Sequence, residues 1–245
     1  MVSKTKSGFT IIETMLFLAV TGALAVAILV GSGASIGQQR YRDSVNTLKS
    51  YLQDQYNQTS NVVNARTGNE GCSSLANVTP APLQESRGTS ECLMLGRFVT
   101  IDGTHLTASN VIGYRSLGAP QVPATDDLTE LSYYKLGTSP IDQDTTDVAW
   151  GAEIINPTPP NASQQLSMLI IRSPLSGSIM TYTTPHIETD LASMITLANS
   201  TATRDLCVKG NTGTFVGKMM EVQISPYATS QGSVQIPPES SSVCQ

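Results

Sequence analysis

The chain has 245 residues with a net charge of −5, 40% of them hydrophobic and 13% charged. That balance excludes a disordered chain, and its acidic sign argues against a nucleic-acid surface, so no nucleic acid is expected as a partner. About 200 residues lie beyond the first apolar stretch, enough for one packed domain and a strain for two.

The chain opens MVSKTKSG and continues FTIIETMLFLAVTGALAVAILV. As a helix, residues 9–30 span roughly 33 Å, about the thickness of a bilayer core. Lys4 and Lys6 favour a cytoplasmic leader and an outward-facing body. A secretory signal peptide has a shorter apolar core with its small-residue cleavage site behind it. Here the small-residue break, Gly8, precedes the run, so the run is expected to stay in the mature chain. Glu13 interrupts it one turn in. A carboxylate at that depth costs on the order of 2.5–3.5 kcal/mol, so it snorkels, is protonated, or neutralises a positive charge elsewhere.

The segment from Lys4 to Gly8, followed by Phe9, Thr10, Ile11, Ile12 and Glu13, resembles the class III signal of type IV pilins and pseudopilins. The resemblance is close over residues 4–35 and extends to the rest only in layout. It implies cleavage by a prepilin peptidase between Gly8 and Phe9, and N-methylation of Phe9. It also implies that Glu13 pairs with the N-terminal amine of a neighbouring subunit during assembly. The implied partners are other pilin subunits in a helical homo- or hetero-filament, the peptidase, an inner-membrane assembly platform, and the membrane before assembly. The implied location is the cytoplasmic membrane for the precursor and then an extracellular surface filament. Many pilins carry a kinking proline in this helix, and none occurs here between Phe9 and Tyr56. Gly22, Gly31, Gly33 and Gly37 read equally as sites of helix stretching or of close helix–helix packing.

After the glycines, Tyr41, Val45, Leu48, Leu52 and Tyr56 recur at spacings of three and four, with Arg40, Arg42, Lys49 and Asp54 off the stripe. The pattern predicts an amphipathic helix packed on a sheet. The expected division is a leader at 1–8 and a helix at 9–61, with 9–30 in the membrane or filament core and 31–61 as a spine. A disulfide-stapled loop follows at 62–96, then a β-rich head at 97–245.

Strands are predicted at 97–101, 111–114, 131–136, 148–155, 166–172, 179–183 and 215–224, with a short helix within 188–199 capped by Thr189 or Asp190. Strands following one helix without βαβ alternation make the class α+β, a long N-terminal helix on a mainly antiparallel sheet, which is the layout of the pilin fold. Cys72, Cys92, Cys207 and Cys244 include no CxxC pair, so two disulfides are expected rather than zinc. Three connectivities exist; the nearest-neighbour one, Cys72–Cys92 and Cys207–Cys244, is preferred. The resemblance implies that the second closes an exposed C-terminal loop used in adhesion.

Little else suggests chemistry. His105 and His186 lack carboxylate or cysteine partners at ligand spacing and read as surface or turn residues. Asp142, Asp144 and Asp147 form a weak calcium hint that lacks the EF-hand glycine and distal glutamate, and a solvated acidic turn is favoured. Asp126 and Asp127 read as linker, and Trp150, the only tryptophan, reads as core. No cofactor and no enzymatic activity are expected. The leading function is a major or minor pilin, in adhesion or motility. The alternatives are a pseudopilin of a type II secretion system and a membrane-anchored extracellular binding protein.

Overall fold

Thr10 caps a helix, α1 (Ile11–Ser60), that runs for 50 residues without a break, roughly 75 Å at 1.5 Å per residue. The computed structural model describes residues 10–61, 70–80, 90–141, 143–156, 162–210, 219–238 and 243–244. Two environments divide α1. From Thr10 to Ile36 every described side chain is exposed, and the first buried residue is Gly37. Beyond it the predicted stripe turns inward, with Tyr41, Val45, Leu48, Leu52 and Tyr56 each 4% exposed or less.

Two antiparallel sheets receive that stripe. The larger contains β3 (Cys92–Asp102), β4 (His105–Arg115), β5 (Tyr134–Thr138), β6 (Asp144–Asp147), β8 (Gln165–Arg172) and β9 (Ile179–Thr184). Its order is β5-β4-β3-β8-β9, with β6 also paired to β4. The smaller has the order β12-β11-β10-β7, formed by β7 (Glu153–Ile155), β10 (Arg204–Lys209), β11 (Met220–Ile224) and β12 (Val234–Gln235). A separate hairpin joins β1 (Glu70–Cys72) to β2 (Val78–Pro80). The architecture is therefore α+β, with one long helix packed on mainly antiparallel sheet.

The central strands are buried on both faces, as the alternation of β8 shows. Leu166, Met168 and Ile170 join the α1 stripe in one core, together with Leu206, Val208, Val222 and Ile224 of the smaller sheet. Leu169 and Ile171 face the other way, into a second core with Phe98, Leu131, Tyr182, Leu191 and Met194. Polar groups on α1 are tied in by long-range bonds. Tyr41 Oη donates to the Val208 carbonyl (2.7 Å) and accepts from the Met220 N–H (2.5 Å), linking the helix to β10 and β11. The buried Arg97 guanidinium donates to Gln55 Oε1 (2.9 Å) and Asn110 Oδ1 (2.7 Å). Gly96, at the β3 bulge, is a close approach: a Cβ there would run into the Ile170 carbonyl.

Several expectations need correction. Residues 131–136 are not one strand, because Asp126 caps a short helix, α2 (Asp127–Ser132), before β5 begins. Its carboxylate accepts from the Thr129 N–H at 2.9 Å, so Asp126 is a cap and not linker. Asp127 is also engaged, accepting from Ser173 and Ser176 hydroxyls. The run 148–155 is broken by a 3-10 turn at Ala149–Gly151, where Trp150 (φ +60) and Gly151 (φ +67) are both left-handed. The helix within 188–199 is two pieces, α3 (Leu191–Met194) and α4 (Leu197–Thr201), capped by Asp190 and Thr196. Of 215–224, only the part from Met219 onward lies among the described residues, and it forms β11.

Candidate functional site: the projecting half of α1 and the base of the head

Thirteen large apolar side chains from Ile11 to Ile36 are between 47% and 78% exposed. Burying them is worth on the order of 20 kcal/mol at about 1.5 kcal/mol each. That exceeds the whole stability of a typical domain, about 5–15 kcal/mol. Among the described residues α1 is the one helix long and apolar enough to cross a membrane.

Several of its polar groups are satisfied locally. Thr14 Oγ1 donates to the Ile11 carbonyl (2.9 Å) and Thr21 Oγ1 to the Phe17 carbonyl (2.8 Å), so neither hydroxyl needs water. Thr10 and Glu13 form a capping box. The Glu13 N–H donates to Thr10 Oγ1 (3.3 Å), and the Thr10 N–H donates to Glu13 Oε2 (3.5 Å). Its Thr-x-x-Glu signal is present in the sequence but masked by the apolar run around it. A Cβ added at Gly22, Gly31 or Gly33 would meet nothing within 4 Å, so no packing among the described residues of this chain demands glycine at these sites. Gly8 and Phe9, the expected cleavage and methylation positions, lie outside the described residues.

Where α1 enters the head, the turn carrying Trp150 packs against it. Trp150 Nε1 donates to Asp43 Oδ2 (2.6 Å), and the Arg40 guanidinium lies over the indole at 5.0 Å. Trp150 is 55% exposed, so the expected core position is wrong. Its neighbours Val148 and Ala152 take the core places instead, and the left-handed turn swings the indole outward.

Both cysteine pairs form as preferred. Cys72–Cys92 closes a separation of 20 residues, with Cα atoms 6.0 Å apart. Cys207–Cys244 closes 37, with Cα atoms 5.4 Å apart. Cys207 and Cys244 are buried with Ile155, so the second bridge pins the end of the chain to β10.

The histidines are on the surface, yet each has a carboxylate partner, one 42 residues away that sequence spacing hid and one only two residues away that was plain in the sequence. The His105 ring meets Asp147 across the β4–β6 pair, and His186 Nε2 lies 3.2 Å from Glu188 Oε2. The Asp190 N–H, His186 and the Thr189 N–H together hold the Glu188 carboxyl below the usual carboxylate range. Asp142 lies outside the described residues, while Asp144 and Asp147 belong to strand β6 rather than to a turn. Residues three apart in a strand face opposite sides, which separates the two carboxylates of the calcium hint. Among the described residues no group of three His, Cys, Asp or Glu side chains could hold a metal ion.

Two of the head's surface concavities are lined by described residues. One, of about 480 Å³, is lined by Gln58, Asn61, Met94, Arg97, Asn110, Gln143 and Asp144. The other, of about 330 Å³, is lined mainly by Leu128, Met180, Tyr182, Leu197 and Tyr227. Comparison of the chain with known protein families, with curated proteins and with solved structures found no match in any of the three.

Proposed function

We propose that this chain is a type IV pilin-like subunit, a structural filament component without enzymatic activity. In this reading it is held in the membrane by the N-terminal half of α1 and cleaved after Gly8 by a prepilin peptidase. It is then methylated at Phe9 and assembled, through an inner-membrane platform, into a surface filament used in adhesion or motility. The observation that carries the proposal is one continuous helix whose second half is core to the head and whose first half is an exposed apolar rod with Glu13 at its start. Such a rod needs an apolar partner at every stage. Lipid supplies it before assembly and the helices of neighbouring subunits supply it afterwards, so the transfer costs little hydrophobic energy.

Glu13 then has two successive partners. In the lone subunit its carboxylate completes the Thr10 capping box. In the filament it pairs with the N-terminal amine of a neighbour, so that two charges in an apolar bundle satisfy one another. The test compares Glu13→Ala with Glu13→Gln. Glutamine can still close a capping box but carries no charge. Both variants are expected to be cleaved, and both to be missing from sheared filaments. Normal incorporation of Glu13→Gln would remove the charge-pairing role.

A further inference from the structure

Trp150 is held in an unusual way for a residue that is not core. Its backbone is left-handed (φ +60), a region that side chains other than glycine rarely occupy, and it is followed by left-handed Gly151. Asp43 and Arg40 of α1 grip the indole from the helix side, while 55% of the residue stays exposed. This turn presents it at the base of the head beside Arg40, with Arg42 exposed on another face of α1.

The distance from the apolar rod gives the level of this collar. The exposed run from Ile11 to Ile36 is about 38 Å long, against a hydrocarbon core of about 30 Å with a headgroup layer of roughly 5–7 Å on each side. With this whole exposed run, which ends at Ile36 and not at residue 30 as the sequence suggests, centred in the bilayer, the Arg40 backbone stands about 10 Å beyond the hydrocarbon edge, just outside the headgroup layer. Side chains on a helix lean toward its N-terminus, here toward the bilayer, so arginine stems from 40 and 42 reach the phosphate level. At this level of α1 itself two exposed arginines stand against one aspartate, Asp43. Guanidinium groups match phosphate geometry, and tryptophan favours the membrane–water interface.

We propose that Trp150, Arg40 and Arg42 form a collar that docks on anionic phospholipid headgroups and fixes the height of the head above the membrane before the subunit is assembled. The proposal rests on the reading of α1 as a membrane helix. Because Trp150 is the only tryptophan, its fluorescence reports the collar alone. The full chain would be reconstituted in vesicles of phosphatidylcholine with phosphatidylglycerol, and in phosphatidylcholine alone. Flotation would score membrane insertion, and lipids carrying a nitroxide on the headgroup or deep in the acyl chain would score quenching.

The expected result is flotation, strong quenching from the headgroup position, weak quenching from the deep position, and greater headgroup quenching when phosphatidylglycerol is present. An Arg40→Glu/Arg42→Glu variant, and high salt, should lose that phosphatidylglycerol-dependent increment. Flotation with no quenching from either position would overturn the collar while leaving the membrane helix intact. Quenching stronger from the deep position would also overturn it. Failure to float would refute the membrane helix itself, and the collar with it.

Discussion

Replacing leucine by alanine at two places on one helix should produce two different results. Leu52 is 0% exposed, enclosed between α1 and both sheets, whereas Leu29 on the same helix is 72% exposed. Truncating a fully buried leucine costs about 2–5 kcal/mol, from lost transfer energy plus the cavity left behind. For a head of roughly 200 residues each kcal/mol moves Tm by about 2–4 °C, so Leu52→Ala should lower it by about 10 °C. Leu29→Ala removes no core contact of the chain and should stay within about 0.5 kcal/mol, a shift of no more than about 2 °C. The assay is thermal unfolding of the full chain in a mild detergent, followed by near-ultraviolet circular dichroism. Equal shifts for the two variants would refute the division of α1 into a spine and a free rod. A larger shift for Leu29→Ala would do the same, placing the rod against the head.

Other consequences concern stapling and ionisation. Loop-closure entropy assigns about 4 kcal/mol to Cys207–Cys244 and about 3 kcal/mol to Cys72–Cys92, from separations of 37 and 20 residues. Double alanine replacement of Cys207 and Cys244 should therefore lower the denaturant midpoint more than replacement of Cys72 and Cys92, and the burial of Cys207 widens the gap; the reverse order would contradict this. Burial pushes the Tyr51 and Tyr56 hydroxyls up to about 12. Their folded values lie above the unfolded value of about 10, so the stabilisation is complete below about pH 10 and is lost as pH rises through about 12. Tyr56→Phe should blunt that alkaline loss; phenolate formation near the ordinary value while the head stays folded would contradict it.

The elements legible in the sequence are those with one dominant signal. The spine of α1 shows five apolar residues at helical spacing, and all five are buried. Strands β3, β4, β8 and β9 contain apolar runs bounded by turn residues, and each predicted segment lies within the observed strand. Propensity misleads where local chemistry competes with it. Leu131 to Leu136 is rich in strand-forming residues, yet the Asp126 cap and the contact of Leu131 with the second core turn its first part into helix. β10, with the sequence RDLCVK, does not stand out as a strand because charge dilutes its apolar signal; its central residues are buried by pairing with β7 and β11.

The candidate site is legible in the same uneven way. The apolar run and Glu13 are plain from composition and position. The Thr10 box requires spacing to be read across a hydrophobic background. The collar cannot be read at all, because Trp150 reaches Asp43 across 107 residues and only the tertiary fold brings them together.

The measurement that bears most directly on the account is mass spectrometry of the N-terminal peptide from material sheared off the cell surface. A peptide beginning at methylated Phe9 is the predicted result, because it would join processing, retention of the apolar helix and export to a filament in a single observation. Recovery of the chain only from membranes, with residues 1–8 still attached, would contradict the filament reading and leave α1 as an ordinary membrane anchor for the head.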